Sequence, residues 1–267
     1  MKPNHVFLRK RNDFWALVKY VSESLGYSDR STKGKGLRRY KPEEVQSLVS
    51  KFNIDCITSN IVLQYLNYRA NLIENKIKPL LMDRKQAEST FNRLVRNYKP
   101  KCNLPYNKQR GKKKHLNFLT CIVNVLTEKN LKKSFNDNPR RCCLVTDKKN
   151  RLVKALSRWM DGAYPEVENP RAVWEVKEYY GTTTFGSRVA DGVYETQLDG
   201  YEILEAQRVS GKKIEHYLFV DDRFTWWVQG KSYLCRLIDM IHMGLVDEVI
   251  FGKEVLQRWP QIVKTWK

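Results

Sequence analysis

Residues 174–180 read WEVKEYY, and they place an acid and a base inside a run of bulky apolar and aromatic side chains. A β-strand sends residues i and i+2 to the same face, so Glu175 and Lys177 point together while Trp174 and Val176 point to the opposite side. Charged side chains are rarely buried unless they are paired or bind a metal or a substrate. The triplet therefore indicates either an ordinary ion pair on an edge strand or part of a functional site.

The segments around this strand alternate between strand and helix patterns. Before it, HLNFLTCIVNVLTEKNL predicts an amphipathic helix, and CCLVT and RLVKALSRWMDG predict two strands joined by the turn DKKN. After it, RVADGVYETQLDGYEILEAQ predicts a helix, IEHYLFVDD a strand, KSYLCRLIDMIHMG a helix and VDEVIFG a last strand. The order α-β-β-β-α-β-α-β predicts an α/β fold with a mixed sheet.

The first 110 residues have a different pattern. KPEEVQSLVSKFN begins a helix with Pro42 in its first turn, and a second helix follows after IDCITSN. Two helices with a short connection are typical of a helix-turn-helix unit and equally of an ordinary helical hairpin. Residues 80–98 predict a third helix. We therefore predict a mainly helical basic domain at residues 1–110, a boundary in the linker KCNLPYNKQRGKKK, and a second domain at residues 111–267.

The net charge of +20 is unevenly divided along the chain. Residues 1–150 carry 33 Lys and Arg against 12 Asp and Glu, whereas residues 151–267 carry 16 against 17. A surface this cationic repels itself unless polyanions are near, which favours nucleic acid as the partner over a generic solubility surface or a membrane-attracted patch. In the linker, Lys112, Lys113 and Lys114 form either a phosphate contact or a solvated run.

Two further features concern the compartment. No stretch approaches the ~18 apolar residues that span a bilayer, and the N-terminal MKPNHVFLRKRND lacks the apolar core of a secretory signal. The 6 cysteines contain no CxxC pair, so a structural zinc site is poorly supported. We expect a cytoplasmic protein with reduced thiols and no membrane partner.

An acid precedes the ExK strand at a suggestive place. Asp161 ends the strand predicted before it, so Asp161 and Glu175 would converge on one divalent cation if the two strands are neighbours. Mg²⁺ prefers carboxylate and phosphate oxygens together with water. Glu166 and Glu168, in the intervening loop, are alternatives for the first acid. Lys177 would orient or deprotonate a water and offset negative charge, which are the requirements of phosphodiester hydrolysis.

The set Asp161…Glu175-Val176-Lys177 resembles the PD-(D/E)xK nuclease superfamily, and especially its type II restriction endonucleases. The resemblance covers about residues 112–222. It implies an αβββαβ core, Mg²⁺ as the cofactor, Asp161 and Glu175 as metal ligands, and Lys177 as the catalytic lysine. Met160 stands where the family pattern has proline.

Other residues extend the resemblance. QLDGY, from Gln197 to Tyr201, resembles the QxxxY motif of RecB-like members, with ordinary helix surface as the alternative. Glu128 stands on the helix before the strands, where many members have an accessory acid, or is a solvated helix-end charge. Arg188, in the polar segment after the ExK strand, is a candidate contact to the DNA backbone. Glu178 should face away from the site.

The resemblance implies a Mg²⁺-dependent, site-specific endonuclease of double-stranded DNA, a type II restriction enzyme. A palindromic site would call for a homodimer. One alternative is a structure-selective repair or mobile-element nuclease. Another is a non-catalytic DNA-binding protein in which the ExK pair is structural. A basic surface alone does not separate RNA from DNA.

Overall fold

The computed structural model describes residues 1–8, 10–29, 36–107, 111, 114–131, 133–181 and 187–266. Within these residues the helices are α1 (His5–Leu8), α2 (Asn12–Leu25), α3 (Pro42–Val49), α4 (Cys56–Leu72), α5 (Arg84–Tyr98), α6 (Phe118–Asn130), α7 (Ser187–Ser210), α8 (Lys231–His242) and α9 (Val255–Val263). The strands are β1 (Leu144–Thr146), β2 (Leu152–Ala155), β3 (Gly162–Tyr164), β4 (Ala172–Glu178), β5 (Glu215–Asp221) and β6 (Glu248–Phe251). Of the helices described, none combines the length and apolar content that crossing a membrane requires.

The main sheet is mixed, with the strand order β3-β4-β5-β6. β3 runs antiparallel to β4, whereas β5 runs parallel to both β4 and β6. The helix α7 joins β4 to β5, as expected for parallel neighbours, which need a crossover connection. The predicted α/β class with a mixed sheet is confirmed.

The segment RLVKALSRWMDG, predicted as one strand, forms two. β2 pairs antiparallel with β1 in a separate two-stranded sheet, as the DKKN turn predicted, while β3 joins the main sheet. Between them the backbone N–H and hydroxyl of Ser157 donate to the Glu202 carboxylate at 2.8 and 2.6 Å. Side-chain bonds thus replace the strand ladder at this point. As a result, the chain between α6 and α7 contributes only two strands, β3 and β4, to the main sheet. An αβββαβ core implies three strands at this point of the chain.

Alternate residues of β4 face opposite layers of this unit. Trp174 packs against Trp259 and Trp266 in a core shared with α6 and α9. Val173, its neighbour in sequence, belongs instead to a core with Ile203 of α7. Since side chains alternate along a strand, α6 and α9 cover one face of the sheet and α7 covers the other.

The chain divides into two compact units. The sheet unit comprises residues 1–2, 80–222 and 245–267, and the helical unit comprises residues 3–79 and 223–244. This division differs from the boundary predicted between residues 110 and 111. The physical reason is packing: the apolar stripe of α5 is buried in the same core as α6, and α8 returns to the helices of the first segment.

The helical unit has the character predicted for the N-terminal residues. α3 begins at Pro42, and α4 is capped by Asp55, whose Oδ1 accepts from the Thr58 backbone N–H at 2.7 Å. Inside the unit, the Arg69 guanidinium is buried and donates to Asp239 of α8 at 2.7 Å. Whether α3 and α4 act as a helix-turn-helix or as an ordinary hairpin stays a prediction.

Candidate active site

Glu175 and Lys177 lie on the face of β4 that α7 covers. Both side chains are buried, with 2% and 8% of their surface exposed. The Lys177 Nζ donates to Glu175 Oε2 at 2.7 Å and to Glu195 Oε2, on α7, at 3.0 Å. One strand and one helix therefore bring three charged groups into a single buried contact.

Lys177 holds its proton in this contact. Burial by itself disfavours the charged ammonium, but the carboxylates of Glu175 and Asp161 outweigh burial and raise the pKa of Lys177 above its ordinary value. The side chain is a fixed cation at neutral pH. Of the roles predicted from the sequence, orienting a water and offsetting negative charge suit this charged state, and deprotonation of the water by Lys177 stays a prediction.

Asp161 lies immediately before β3, beside the same pair. Its backbone N–H donates to the Trp174 carbonyl at 3.1 Å, and its Oδ2 accepts from the Val176 backbone N–H at 2.7 Å. These two bonds fix the carboxylate across the β3–β4 pair. Burial, followed by the charge of Glu175, raises the pKa of Asp161, while Lys177 acts in the opposite direction. Asp161, Glu175 and Lys177 thus form one electrostatic cluster.

The two alternative first acids lie elsewhere. Glu166 accepts from the Asn136 Nδ2 at 2.8 Å, and Glu168 pairs with Arg141 at 2.7 Å. Both carboxylates are exposed. Of the three candidates, Asp161 is the one that interacts with Glu175.

Arg158 contacts both the cluster and the acids of α7, and no sequence pattern predicted this role. Its Nη2 lies 2.9 Å from Glu195 Oε2, and its Nη1 lies 2.9 Å from Asp199 Oδ2 and 3.6 Å from Glu175 Oε1. The sequence does hold one indication of these contacts. Glu195 and Asp199 are four residues apart, and residues at that spacing share one face of a helix. Arg158 itself, in the link between β2 and β3, has no motif that would have revealed it.

Asp199 is fully buried on the inner face of α7. Its Oδ2 accepts from Arg158, while no described group bonds its Oδ1. Burial, followed by the charge of Glu175, raises the pKa of Asp199 to about 7, although Arg158 and Lys177 lower it. Near neutral pH a proton on Asp199 therefore removes one negative charge from the cluster.

We expect Asp199 to make folding stability depend on pH. Since its pKa is raised in the folded state, the folded protein keeps a proton that the unfolded chain releases, and stability should fall as the pH rises from about 4 to about 7. Urea unfolding across this range measures the effect. Between pH 4 and pH 7 the free energy of unfolding of the wild type should fall by on the order of 2–4 kcal/mol more than that of Asp199→Asn. Parallel stability curves for the wild type and the variant would contradict the assignment.

Gly192 allows α7 to approach β4 closely. A Cβ at this position would lie 2.6 Å from Tyr179 Oη and 3.4 Å from Lys177 Cδ. The Tyr179 hydroxyl also donates to the Arg188 carbonyl at 3.1 Å. The first turns of α7 are thus tied to the end of the strand that carries the cluster.

The predicted accessory residues do not join the cluster in the described contacts. Tyr201 is 50% exposed and Gln197 lies on a flank of α7, because these two positions are turned away from the face that Glu195 and Asp199 share. Glu128, near the end of α6, accepts from the Lys101 backbone N–H at 3.1 and 3.0 Å. It anchors the loop before α6 instead.

The predicted DNA-contacting residues are described only in part. Lys112 and Lys113 lie outside the described residues. Lys114 is exposed, with its ammonium 5.1 Å from the centre of the Tyr106 ring. Arg188 is exposed in the first turn of α7. A DNA contact for Lys114 and Arg188 stays a prediction.

Glu178 faces away from the cluster, as predicted, and has a structural role. Its carboxylate accepts from the backbone N–H groups of Leu119 and Thr120, both at 3.0 Å, and from the Thr120 hydroxyl at 2.7 Å. It therefore satisfies free donors at the N-terminus of α6.

The donor set of the cluster fits a hard divalent cation. Among the described residues no three His, Cys, Asp or Glu side chains are arranged to hold a metal by themselves. Mg²⁺, however, is usually bound by one or two carboxylates plus water and substrate phosphate. Glu175 Oε1 has Arg158 only at 3.6 Å, and the repulsion between Glu175 and Asp161 is what a cation would relieve. Both ligands would therefore come from the predicted pair.

Comparisons with known families place a boundary near residue 80, as the division into two units does, but they assign residues 223–244 to the second family model. The model of a domain of unknown function (DUF7690) matches residues 1–76, and the model of a second domain of unknown function (DUF7687) matches residues 82–266. Neither the curated proteins nor the solved structures gave a match. Because the second model covers more than half of the chain, the chain belongs to the DUF7687 family.

Proposed function

We propose that the chain is a Mg²⁺-dependent endonuclease of double-stranded DNA with a core of the PD-(D/E)xK kind, cutting at specific sites as type II restriction enzymes do. The observation that carries the proposal is the buried cluster in which the Lys177 ammonium lies between Glu175 and Glu195, with Asp161 across the β3–β4 pair. A buried ion pair is weak support for stability, whereas perturbed titratable groups concentrate at functional sites.

Each member of the cluster has a role in this reaction. Water attacks the phosphorus and releases a proton to the solvent, the bond from phosphorus to the leaving oxygen breaks, and the leaving oxygen takes up a proton from the solvent. Asp161 and Glu175 would hold the divalent cation, which when bound lowers the pKa of its water and polarises the phosphoryl oxygen. Lys177, a fixed ammonium, offsets the negative charge that builds up on the phosphoryl group. Arg158 positions the carboxylates of Glu175 and Glu195.

The affinity for DNA would come from unpaired cations. Residues 80–150 contain 18 Lys and Arg against 5 Asp and Glu. Here Lys85 and Arg93 of α5 line a groove of about 600 Å³ together with Lys253. None of these three forms an ion pair with another described residue. Since α5 packs on α6, on the side of the sheet away from Lys177, these cations would contact the DNA backbone at a distance from the bond that is cut and take no part in cleavage.

We expect the triple variant Lys85→Ala, Arg93→Ala, Lys253→Ala to weaken DNA binding in a salt-dependent way. Each phosphate contact contributes about 0.9 to the slope of log K against log salt, so the slope should fall by about 2 to 3. Fluorescence anisotropy with a short duplex at several salt concentrations measures it. The matched control removes three exposed cations of the same unit, Lys133, Lys148 and Lys149. Equal slopes for both variants would contradict a specific role for the groove.

One observation favours a second candidate, a non-catalytic DNA-binding protein. Glu175 is already neutralised by Lys177 and approached by Arg158, which is also how a structural ion-pair network is built. In that case DNA binding would persist in EDTA, and no divalent cation would produce cleavage.

The first experiment is incubation of the purified chain with a large unmethylated DNA at low salt, with Mg²⁺ and with EDTA. Discrete fragments that require Mg²⁺ would support the site-specific nuclease, and the sequence of their ends would give the recognition site. Smearing, or a preference for flaps and free ends, would instead indicate a structure-selective nuclease. DNA that stays intact but is shifted on a gel would support the non-catalytic DNA-binding protein.

A further inference from the structure

The outer face of α7 carries an exposed apolar stripe. Tyr194, Leu198, Tyr201 and Leu204 are 53%, 44%, 50% and 43% exposed. The opposite face of the same helix is buried against the sheet unit and holds the charged cluster. A contiguous exposed apolar surface rimmed by polar residues marks an interaction site.

The stripe follows the spacing of a helix-pairing seam. Successive intervals of three and four residues separate six exposed side chains, which we call the α7 seam: Asp191, Tyr194, Leu198, Tyr201, Glu205 and Arg208. An average interval of 3.5 residues keeps side chains in line along the contact between two helices. From its first to its last residue the seam is about 26 Å long.

The α7 seam is complementary to itself. Two α7 helices can pair antiparallel about a two-fold axis midway between Leu198 and Tyr201. Leu198 of each copy then lies opposite Tyr201 of the other copy. Tyr194 then lies opposite Glu205, so that a phenol hydroxyl faces a carboxylate. Asp191 lies opposite Arg208 at both ends of the contact, so that opposite charges pair. Glu205 also pairs with Lys154 of its own chain, at 2.6 Å.

We propose that the α7 seam is the interface of a homodimer, in which the α7 helices of two copies pair antiparallel. The charges decide the kind of partner: both signs are present and they are placed so that a two-fold operation matches them. A polyanion would meet Asp191 and Glu205 with repulsion. The interface lies on the face of α7 opposite to Asp199, and its formation does not depend on the proposed cleavage activity.

Sedimentation velocity on the full chain, without nucleic acid, tests the proposal. One pair of helices makes a small interface, so we expect a dissociation constant on the order of 1–10 μM. The wild type should shift from 31.6 kDa towards twice that mass as its concentration rises to about 100 μM. The variant Leu198→Glu, Tyr201→Glu places four carboxylates at the centre of the contact and should stay monomeric throughout. Circular dichroism establishes that this variant is folded.

Charge reversal tests the antiparallel register. Asp191→Arg and Arg208→Asp should each weaken the dimer by about five- to tenfold, because like charges then meet at both ends. The double reversal restores opposite charges and should return the dissociation constant to within about twofold of the wild type. A wild type that is monomeric at the highest concentration would overturn the proposal and leave the stripe to a different protein. A double reversal that fails to recover, or a glutamate variant that still dimerises, would overturn it as well.

Discussion

Replacing Lys177 by alanine should lower the rate of Mg²⁺-dependent DNA cleavage by about 10²–10³-fold, while DNA affinity in EDTA stays within about twofold of the wild type. The reason is the position of the ammonium: it is buried and bonded to Glu175 and Glu195. There it can stabilise charge that develops during the reaction but lies apart from the groove cations that would hold the DNA backbone. The measurement is single-turnover cleavage of a supercoiled plasmid beside an anisotropy titration.

The controls separate chemistry from folding. Lys177→Met keeps most of the packing of the side chain and removes only the charge, and urea unfolding of both variants shows whether the sheet unit is intact. Lys154→Ala is the matched lysine substitution, since Lys154 also pairs with two glutamates of α7 but stands outside the cluster. Retained cleavage in a folded Lys177→Ala variant would sink the assignment of the active site.

At pH 8, where Asp199 is mainly ionised, Arg158→Leu should destabilise the sheet unit by about 2–4 kcal/mol. The substitution leaves the fully buried Asp199 without its hydrogen-bond donor, and a buried charge that loses its partner is costly. The guanidinium itself is 26% exposed, so the loss should fall below the full cost of a fully buried pair. Equilibrium urea unfolding gives the free-energy difference.

A double variant identifies the source of that loss. Adding Asp199→Asn to Arg158→Leu removes the stranded charge, so at pH 8 the double variant should recover at least half of the stability lost. Arg151→Leu is the control, because the Arg151–Asp147 pair lies at the surface and should cost at most about 1 kcal/mol. Additive losses in the double variant would show that Arg158 acts by packing alone, with no role in compensating Asp199.

Local patterns in the sequence predicted much of the framework. Apolar and aromatic residues with alternating charges predicted β4 and the common face of Glu175 and Lys177, and the DKKN turn predicted the β1–β2 hairpin. Such features depend on contacts between near neighbours in the chain. The proximity of Asp161 to Glu175 was also predicted from local patterns, because neighbouring antiparallel strands such as β3 and β4 need only a short connection.

Long-range contacts were the part that patterns could not supply. Arg158 and Asp199 are 41 residues apart, and no local period links an arginine in a strand connection to an acid on α7. The resemblance to the QxxxY motif predicted roles for Gln197 and Tyr201. Which side chains of α7 face the sheet, however, depends on the rotation of the helix about its own axis. In the structure the face with Gly192, Glu195 and Asp199 is the one turned to the sheet, and a Cβ at Gly192 would lie 2.6 Å from the Tyr179 hydroxyl.

The sequence by itself determined the α/β class, the helical character of the first segment, the strong cationic charge and the pairing of Glu175 with Lys177. The tertiary structure decided three other matters: α5 packs with the sheet, α8 packs with the N-terminal helices, and Arg158, Glu195 and Asp199 surround the ExK pair. The physical reason is that periodicity specifies which face of a helix or strand is apolar. The partner that buries this face is chosen by the shape and charge of segments far away in the chain.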